Sequence, residues 1–171
     1  MHAKDILIEA YSRIQEEVRA AVDGLSPDDL NTRPAPDANS VSWLVWHLTR
    51  VQDDHVADVA GLDQVWFAQG WDKRFGLDLP PGDTGYGHSA AKVAKVRVES
   101  ADLLTGYYDA VHEQTTAYLR ELRAEDLDRV VDERWDPPVT LAVRLASVLS
   151  DDLQHAGQAA YVRGLLRDGV G

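Results

Sequence analysis

The sequence predicts an all-α protein, and three observations carry that prediction. Apolar residues recur every three or four positions over four long segments, which is the spacing of one face of an α-helix. Turn-forming residues separate these segments. The alternation of polar and apolar residues that is typical of strands is sparse. Four amphipathic helices joined by one long connection indicate a four-helix bundle.

The first predicted helix covers residues 3–22. Ile14 and Val18 lie on its apolar stripe, and Gly24 follows as a stop signal. A polar stretch rich in proline, aspartate and asparagine then separates it from the second long helix. That helix is predicted at residues 41–60, directly after a serine of the kind that favours a helix N-cap.

A long aromatic-rich loop, residues 62–87, is predicted between the second and third long helices. Loops of this length are uncommon in a compact domain unless they have a function. An exposed aromatic cluster of this size would promote association. We therefore expect Trp66, Trp71 and Phe75 to pack against the bundle and to wall the mouth of the functional site.

The third and fourth long helices are predicted at residues 100–122 and 140–166. Ser100 and Thr140 are residue types that favour N-caps, and each stands at the start of one helix. Two consecutive prolines just before the fourth helix force a non-helical turn. The segment 126–134 suits either a strand or an extended connector.

Composition limits the classes of function. The chain has 171 residues, which suits a single domain spanning 1–171. Lys and Arg number 17 against 29 Asp and Glu, so the formal charge is −12. Such an acidic surface repels phosphate backbones and anionic lipids, so we expect neither nucleic acid nor membrane as a partner. The N-terminal segment becomes charged too early for a signal peptide, which favours a cytoplasmic protein.

Cysteine is absent from the sequence. This absence excludes disulfides, thiolate metal ligands and a cysteine nucleophile, and it leaves imidazole and carboxylate as the available metal ligands. The sequence also contains no GxGxxG, P-loop, GxSxG or HExxH motif. A nucleotide-binding loop and the familiar hydrolase signatures are therefore excluded as the basis of its function.

Three polar residues stand on helical stripes that are otherwise apolar. His47 follows Leu44 on the second long helix, and Asp151 and His155 continue the stripe of the fourth. Residues four positions apart share a helix face, so Asp151 and His155 point the same way. Two imidazoles and one carboxylate suit Zn²⁺ or another first-row divalent ion, with coordination positions left for water or substrate. A polar cluster held by its own hydrogen bonds is the alternative.

The other histidines lack this placement. His2 is terminal, His88 falls in the long loop and His112 lies on a charged flank of the third helix. We expect all three side chains to be exposed to solvent.

Four segments together resemble the DinB-like superfamily. They read SVSWLVWHLTRVQDDH, RFGLDLPPGDTGYGHS, LLTGYYDAVH and WDPPVTLAVRLASVLSDDLQHAGQAAYVRG. The resemblance covers nearly the whole chain and is greatest to an actinobacterial branch allied to mycothiol-dependent transferases and the maleylpyruvate isomerase N-terminal domain. It implies a four-helix bundle in up-down-down-up order with a divalent metal at one end of the core.

The resemblance implies the same three metal ligands. In that family a histidine on the second helix and a pair four residues apart on the fourth hold the metal, and these positions are His47, Asp151 and His155 here. Many members have histidine, and the thiol-transferase branch glutamate, where this chain has Asp151. Asp152 is the alternative carboxylate ligand. Zn²⁺ is the first choice of metal, with Ni²⁺ or another divalent ion as the alternative.

The resemblance also implies a metal-dependent transferase or isomerase. It would use a low-molecular-weight thiol such as mycothiol together with an electrophilic small molecule. The metal would lower the thiol pKa, so that thiolate is available at neutral pH. Arg144 or Arg50 would contact a carboxylate of the cofactor or the substrate.

Residues that flank the metal ligands complete the predicted site. Asp54 or His55 would act as a base or as a residue that supports the metal ligands, and Arg144 is the third predicted catalytic residue. Trp43, one turn before the histidine of the second helix, and Gln158, one turn beyond the pair of the fourth, would bind the thiol cofactor.

Two other functions remain open at this point. One is a non-catalytic bundle, with or without metal, that acts through dimerisation, and a homodimer is an expected partner state. The other is metal-assisted hydrolysis with water in the free coordination position. Metal content separates the non-catalytic bundle from the two enzymes, and thiol-dependent turnover separates the transferase from the hydrolase.

Overall fold

The computed structural model describes residues 2–167, and these form an all-α bundle with one small hairpin. The four long helices are α1 (Ala3–Val22), α3 (Val41–Ala60), α7 (Ala101–Glu121) and α8 (Leu141–Arg167). The four short helices are α2 (Pro27–Asn31), α4 (Val65–Ala68), α5 (Trp71–Phe75) and α6 (Ala90–Val93). A 3₁₀ turn (Ala124–Asp128) and an antiparallel hairpin of β1 (Val130–Asp132) and β2 (Val139–Thr140) connect α7 to α8.

The predicted fold class is confirmed, and the long helices begin and end within one residue of their predicted limits. Ser40 caps α3, because its hydroxyl oxygen accepts a hydrogen bond of 3.1 Å from the Trp43 amide. Thr140 caps α8 in the same way through the Val143 amide, at 3.4 Å. Ser100 precedes α7 but makes no side-chain cap hydrogen bond. The prediction of a single domain over residues 1–171 extends past the described part of the chain and stays a prediction.

Contacts between α1 and its two neighbours fix the directions of three helices. The Lys4 ammonium donates to the Arg120 carbonyl at 2.7 Å, near the opposite ends of α1 and α7, so these helices are antiparallel. The Tyr11 hydroxyl donates to the Leu145 carbonyl at 3.2 Å, early in both α1 and α8. The guanidinium of Arg163 reaches the carbonyl at the end of α1, also at 3.2 Å. Helices α1 and α8 are therefore parallel.

Helix α3 runs parallel to α7 and antiparallel to α8. Gln52 donates to the Thr115 hydroxyl at 2.8 Å, and the Tyr118 hydroxyl donates to the Val59 carbonyl further along both helices. Because α7 points opposite to α1, and α8 points with α1, the four long helices follow the predicted up-down-down-up order. No helix within residues 2–167 is both long and apolar enough to cross a membrane.

Helix α3 is the most buried of the long helices, with only Asp58 exposed along its length. It carries a charged pair, Arg50 and Asp53, into the core. The Asp53 carboxylate accepts hydrogen bonds of 2.8 Å from the Val65 and Trp66 amides and from the Tyr107 hydroxyl. We call Arg50, Asp53 and Tyr107 the buried anchor. It ties the start of α4 to α3 and α7.

The loop between α3 and α7 is largely structured, and it contains α4, α5 and α6. Trp66, Trp71 and Phe75 are each at most 7% exposed. Their rings lie 5.1, 5.6 and 5.8 Å from the Tyr107 ring, in that order. The aromatic residues of this segment therefore pack on the bundle, as their apolar character predicts.

Candidate metal centre

His47, Asp151 and His155 converge where α3 crosses α8. One potential ligand atom from each residue lies within 4.8 Å of the others. The Asp151 Oδ2 atom is 3.9 Å from His47 Nε2 and 3.4 Å from His155 Nδ1. The i,i+4 spacing places Asp151 and His155 on one face of α8, and the antiparallel neighbour α3 brings His47 against that face.

Backbone carbonyls determine which ring nitrogen of each histidine is free. His47 Nδ1 lies 2.5 Å from the Thr84 carbonyl, and His155 Nδ1 lies 2.7 Å from the Asp151 carbonyl. A carbonyl oxygen can only accept, so the ring hydrogen is on Nδ1 in both residues. Each neutral ring therefore has an unprotonated Nε2. Metal-binding histidines commonly donate their second ring N–H to a carbonyl in this way.

The hydrogen bonding of the Asp151 carboxylate indicates whether a cation would be stable among the three side chains. Its Oδ2 atom is buried, and no donor within residues 2–167 makes a hydrogen bond to it. A buried carboxylate oxygen without a donor costs about 1–3 kcal/mol, or more when it is charged. A divalent ion bound by this oxygen and by imidazole nitrogens would remove that cost. The residues present therefore fit such an ion.

The electrostatics of the cluster favour a neutral His47 and an ionised Asp151, and they shift His155 toward its protonated form. Burial lowers the pKa of His47, which favours the neutral imidazole. Burial alone would raise the pKa of Asp151, but the neighbouring His155, His47 and His55 hold it below its ordinary value. Burial likewise opposes protonation of His155, yet its interactions with Asp151 outweigh this effect and raise the His155 pKa. Asp151 is consequently ionised at neutral pH.

A short segment that we call the strap, residues 83–88, crosses directly over His47. Gly85 has a φ of +92°, and a Cβ atom there would lie 2.7 Å from His47 Nδ1 and 3.0 Å from the Trp46 ring. Only glycine allows both the backbone conformation and this close approach. The close approach lets the Thr84 carbonyl reach the His47 ring.

The strap is held in place by Asp83 and His88. Asp83 Oδ1 accepts from the Gly85 amide at 2.9 Å and lies 2.9 Å from His88 Nε2. The Trp43 indole donates to His88 Nδ1 at 3.1 Å. The His88 side chain is only 1% exposed, so the prediction that it faces solvent is wrong. Its loop position in the sequence gave no indication of these two buried partners.

A cavity of about 330 Å³ lies beside the three candidate ligands. It is lined mainly by those ligands, by Trp43 and by the strap. The Trp43 ring stacks on the His47 ring with centroids 4.5 Å apart and an interplanar angle of 13°. Trp66, Trp71 and Phe75 do not line this cavity, so the prediction that they wall its mouth is wrong. They pack around α7 instead, and the later part of the loop forms the wall.

The predicted catalytic residues lie further along α3 and α8. Asp54 accepts from Gln64 at 2.7 Å, and His55 Nδ1 lies 3.2 Å from the Arg144 guanidinium. His55 follows His47 by eight residues, which is about 12 Å along a helix. Asp54, His55 and Arg144 thus form a polar region beside the three candidate ligands and not among them, and their catalytic roles stay a prediction.

The residues predicted to contact the cofactor or the substrate do not all lie at the cavity. Trp43 lines the cavity, whereas Gln158 is exposed on α8, and their roles toward a cofactor stay predictions. Arg50 is fully buried in the anchor, where it donates to Gln64, so it is not available to bind a substrate carboxylate.

Asp152 points away from the candidate centre and into the core. It is fully buried, and neither carboxylate oxygen has a hydrogen-bond partner among the described residues. Burial, with a further contribution from the Asp151 charge, raises its pKa. Its negative charge also raises the pKa of Tyr11 and Tyr108, although burial of those phenols is the larger cause. Asp151, not Asp152, is therefore the carboxylate that faces the histidines.

His112 also departs from its prediction. It is half-buried on α7, its ring stacks on Tyr108 at 6.2 Å, and burial lowers its pKa. His2 is exposed, as its terminal position predicts. Neither residue approaches the candidate centre.

The protein is an all-α bundle in which three side chains that could hold a metal ion converge. The chain belongs to the mycothiol-S-transferase family, whose model matches residues 7–168. This match confirms the resemblance to mycothiol-dependent transferases. The chain is also similar to the crystal structure of a conserved protein from Enterococcus faecalis, with 35% identity, a TM-score of 0.93 and coverage of 98% of this chain and 99% of that chain. No curated protein matches it.

Proposed function

We propose that this protein is a divalent-metal-dependent transferase that joins the sulfur of mycothiol to an electrophilic small molecule. Membership of the mycothiol-S-transferase family supports the thiol. The observation that carries the metal dependence is the buried Oδ2 atom of Asp151. It has no hydrogen-bond donor among residues 2–167 and lies 3.9 Å from His47 Nε2 and 3.4 Å from the His155 ring. The ligands would be His47, Asp151 and His155.

The donor set suits a site that must bind an anionic sulfur. One carboxylate and two neutral imidazoles supply a single negative charge, one less than a dication carries. A divalent ion bound there would lower the thiol pKa and favour thiolate at neutral pH. Three protein ligands also leave coordination positions for the substrate, which is the usual arrangement of catalytic zinc sites.

The chain positions the reactants but does not provide the nucleophile. Because the sequence has no cysteine, the attacking sulfur must arrive with the thiol substrate. Trp43 and the strap cover one side of the cavity and exclude water from His47, and the Thr84 carbonyl fixes the orientation of that ring. In a substitution the S–H bond breaks, an S–C bond forms, the electrophile releases its leaving group and the thiol proton passes to solvent. In an addition the electrophile takes up that proton instead.

Turnover with a defined thiol and electrophile tests the proposal. The purified protein is stripped with a chelator, reloaded with Zn²⁺, Ni²⁺ or Mn²⁺, and mixed with mycothiol and monochlorobimane. We expect metal-dependent thioether formation that is faster with mycothiol than with glutathione or cysteine. If no metal yields thioether above the uncatalysed rate, the transferase proposal is wrong.

Metal content of variants tests the ligand assignment separately. His155→Ala should lose stoichiometric Zn²⁺ uptake while the helical circular dichroism spectrum is retained, because the residue lies on a helix face and not in the apolar core. His112→Ala is the matched control, since it removes a histidine far from the centre. Retention of one equivalent of zinc by the double variant His47→Ala/His155→Ala would place the metal elsewhere.

A further inference from the structure

The solvent-exposed side of α8 carries almost no charge. Thirteen residues of α8 are exposed, and the only charged one is Arg167, at the end of the helix. On α1, by contrast, six of the nine exposed residues are charged, and on α7 four of five. The other charged residues of α8 are buried or partly buried, with Asp151 at the edge of this side. We call the exposed residues of α8 from Ala142 to Gly164 the uncharged face.

Large apolar side chains stand on or next to this face. Val143, Leu153 and Tyr161 are 51%, 47% and 70% exposed. Trp135, in the hairpin that leads into α8, is 66% exposed. Exposed apolar side chains on a surface without charges make this side of α8 a candidate contact surface.

We propose that a second copy of this chain docks on the uncharged face, so that the two α8 helices pack together about a two-fold axis. The charge distribution favours this occupant. Each chain has a formal charge of −12, and two copies repel each other wherever their acidic surfaces meet. The uncharged face is a long surface on which they can meet with only one carboxylate from each chain near the contact, that of the partly exposed Asp151. A self-complementary contact of this kind closes as a dimer.

The size of the face agrees with a dimer of moderate affinity. A helix of 27 residues is about 40 Å long. A standard interface uses about 20–30 residues from each partner. The twelve residues of the uncharged face supply roughly half of that number, and the hairpin with Trp135 is the adjacent apolar surface that would extend it. The dimer should therefore dissociate on dilution.

The uncharged face also borders the candidate metal centre. A groove of about 480 Å³ runs along α8 and is lined by Val143, Ala146, Ser147, Ser150, Asp151 and Gln154. Asp151 lines both this groove and the cavity beside the strap. A partner helix on this face would cover the groove and enclose the centre. This enclosure rests on the proposed function, whereas the interface itself does not.

Sedimentation velocity over an about 100-fold range of protein concentration tests the interface. We expect the wild-type chain to be a dimer that dissociates on dilution, and added salt to strengthen it because salt screens the repulsion between acidic chains. Leu153→Glu and Ser147→Glu should each weaken dimerisation at least about tenfold, because a charge would be buried between the helices. Ala117→Glu, on the exposed side of α7, adds the same charge and should leave the dimer unchanged.

Cross-linking supplies a second measurement that needs no charge change. Because the chain has no cysteine, Leu153→Cys and Ala117→Cys each introduce the sole thiol. A bismaleimide should join two copies of Leu153→Cys and not of Ala117→Cys. If the wild-type chain is a monomer at the highest concentration, the proposal is wrong. It is also wrong if Ala117→Glu weakens the dimer as much as Leu153→Glu and Ser147→Glu do, provided that the circular dichroism spectra are unchanged. Neither experiment requires metal or thiol, so its failure leaves the transferase proposal untouched.

Discussion

The buried anchor and the candidate metal centre differ in how completely their carboxylates are hydrogen-bonded. Both place a carboxylate against polar side chains of α3. Asp53 accepts from two amides and one phenol, all at 2.8 Å, whereas Asp151 Oδ2 accepts from no donor among the described residues. A buried polar group that is fully hydrogen-bonded serves the fold. A buried polar group that lacks hydrogen-bond partners and lies beside a cavity is suited to bind a ligand.

The largest expected effect is a difference in stability between variants of the buried anchor and variants of the candidate metal centre. Asp53→Ala should lower the free energy of unfolding by about 3–5 kcal/mol, because it leaves the buried Arg50 without its counter-charge. Asp151→Ala should change it by less than about 1 kcal/mol in metal-free protein, since it removes a carboxylate that lacks a full set of partners. Urea denaturation followed by circular dichroism measures both. Equal losses in the two variants would contradict the distinction between the regions.

A second prediction concerns the strap. Gly85→Ala should weaken Zn²⁺ binding at least about tenfold, because the new methyl group would overlap the His47 ring and push the Thr84 carbonyl away. Gly87→Ala is the control, since Gly87 also has a positive φ, of +68°, but a Cβ there would meet nothing within 4 Å. Titration calorimetry on chelator-treated protein measures the two affinities. A similar loss in both variants would attribute the effect to backbone strain and not to contact with His47.

Asp152 and Asp151 allow a second comparison of two carboxylates, both on α8. The carboxylate oxygens of Asp152 have no hydrogen-bond partner among the described residues, but unlike Asp151 this residue is fully buried and lines neither the cavity beside the strap nor the groove along α8. Asp152→Leu should therefore stabilise the protein by about 1–3 kcal/mol, because an unpartnered buried carboxyl is replaced by an apolar group of similar size. Thermal unfolding of metal-free protein gives the measurement, with Asp152→Asn as the control for volume. Destabilisation by the leucine would show that Asp152 has a partner after all.

His112 gives the smallest effect, in the pH dependence of stability. Burial holds its pKa in the folded protein below the value of about 6.5 expected in the unfolded chain. The folded state therefore binds fewer protons, and the contribution of His112 to stability is present above about pH 6.5 and is lost as the pH falls through the folded pKa. His112→Gln should make the decline in unfolding free energy between about pH 7 and pH 5 shallower. An unchanged slope would show that this ring is not desolvated.

The sequence predicts the helices and the three candidate ligands because both are local, periodic features. Helix α3 follows from its apolar spacing, and Asp151 and His155 follow from a four-residue interval on one face. The orientation of Asp152 is harder to predict, since its neighbour Asp151 is equally polar and the 100° between them is resolved only by packing. Polarity alone could not separate a ligand from a core residue.

The strap could not be predicted for a different reason. Its contact with His47 is made by a backbone carbonyl, which every residue type possesses, and so it leaves no mark in the sequence. His88 finds Asp83 five residues away and Trp43 on another helix, and the second of these contacts depends on the path of the loop. Gly85 and Gly87 were the available signal, but glycines of this spacing are also common in simple turns.

The strap also indicates which of its positions can change in sequence between related proteins. Thr84 meets the histidine ring through its carbonyl, so its side chain is free to vary without changing that contact. Gly85, the next residue, has no such freedom, since the His47, Trp46 and Trp43 rings occupy the space of a Cβ atom. A saturation mutagenesis library selected for metal binding should therefore accept many residues at position 84 and essentially one at position 85.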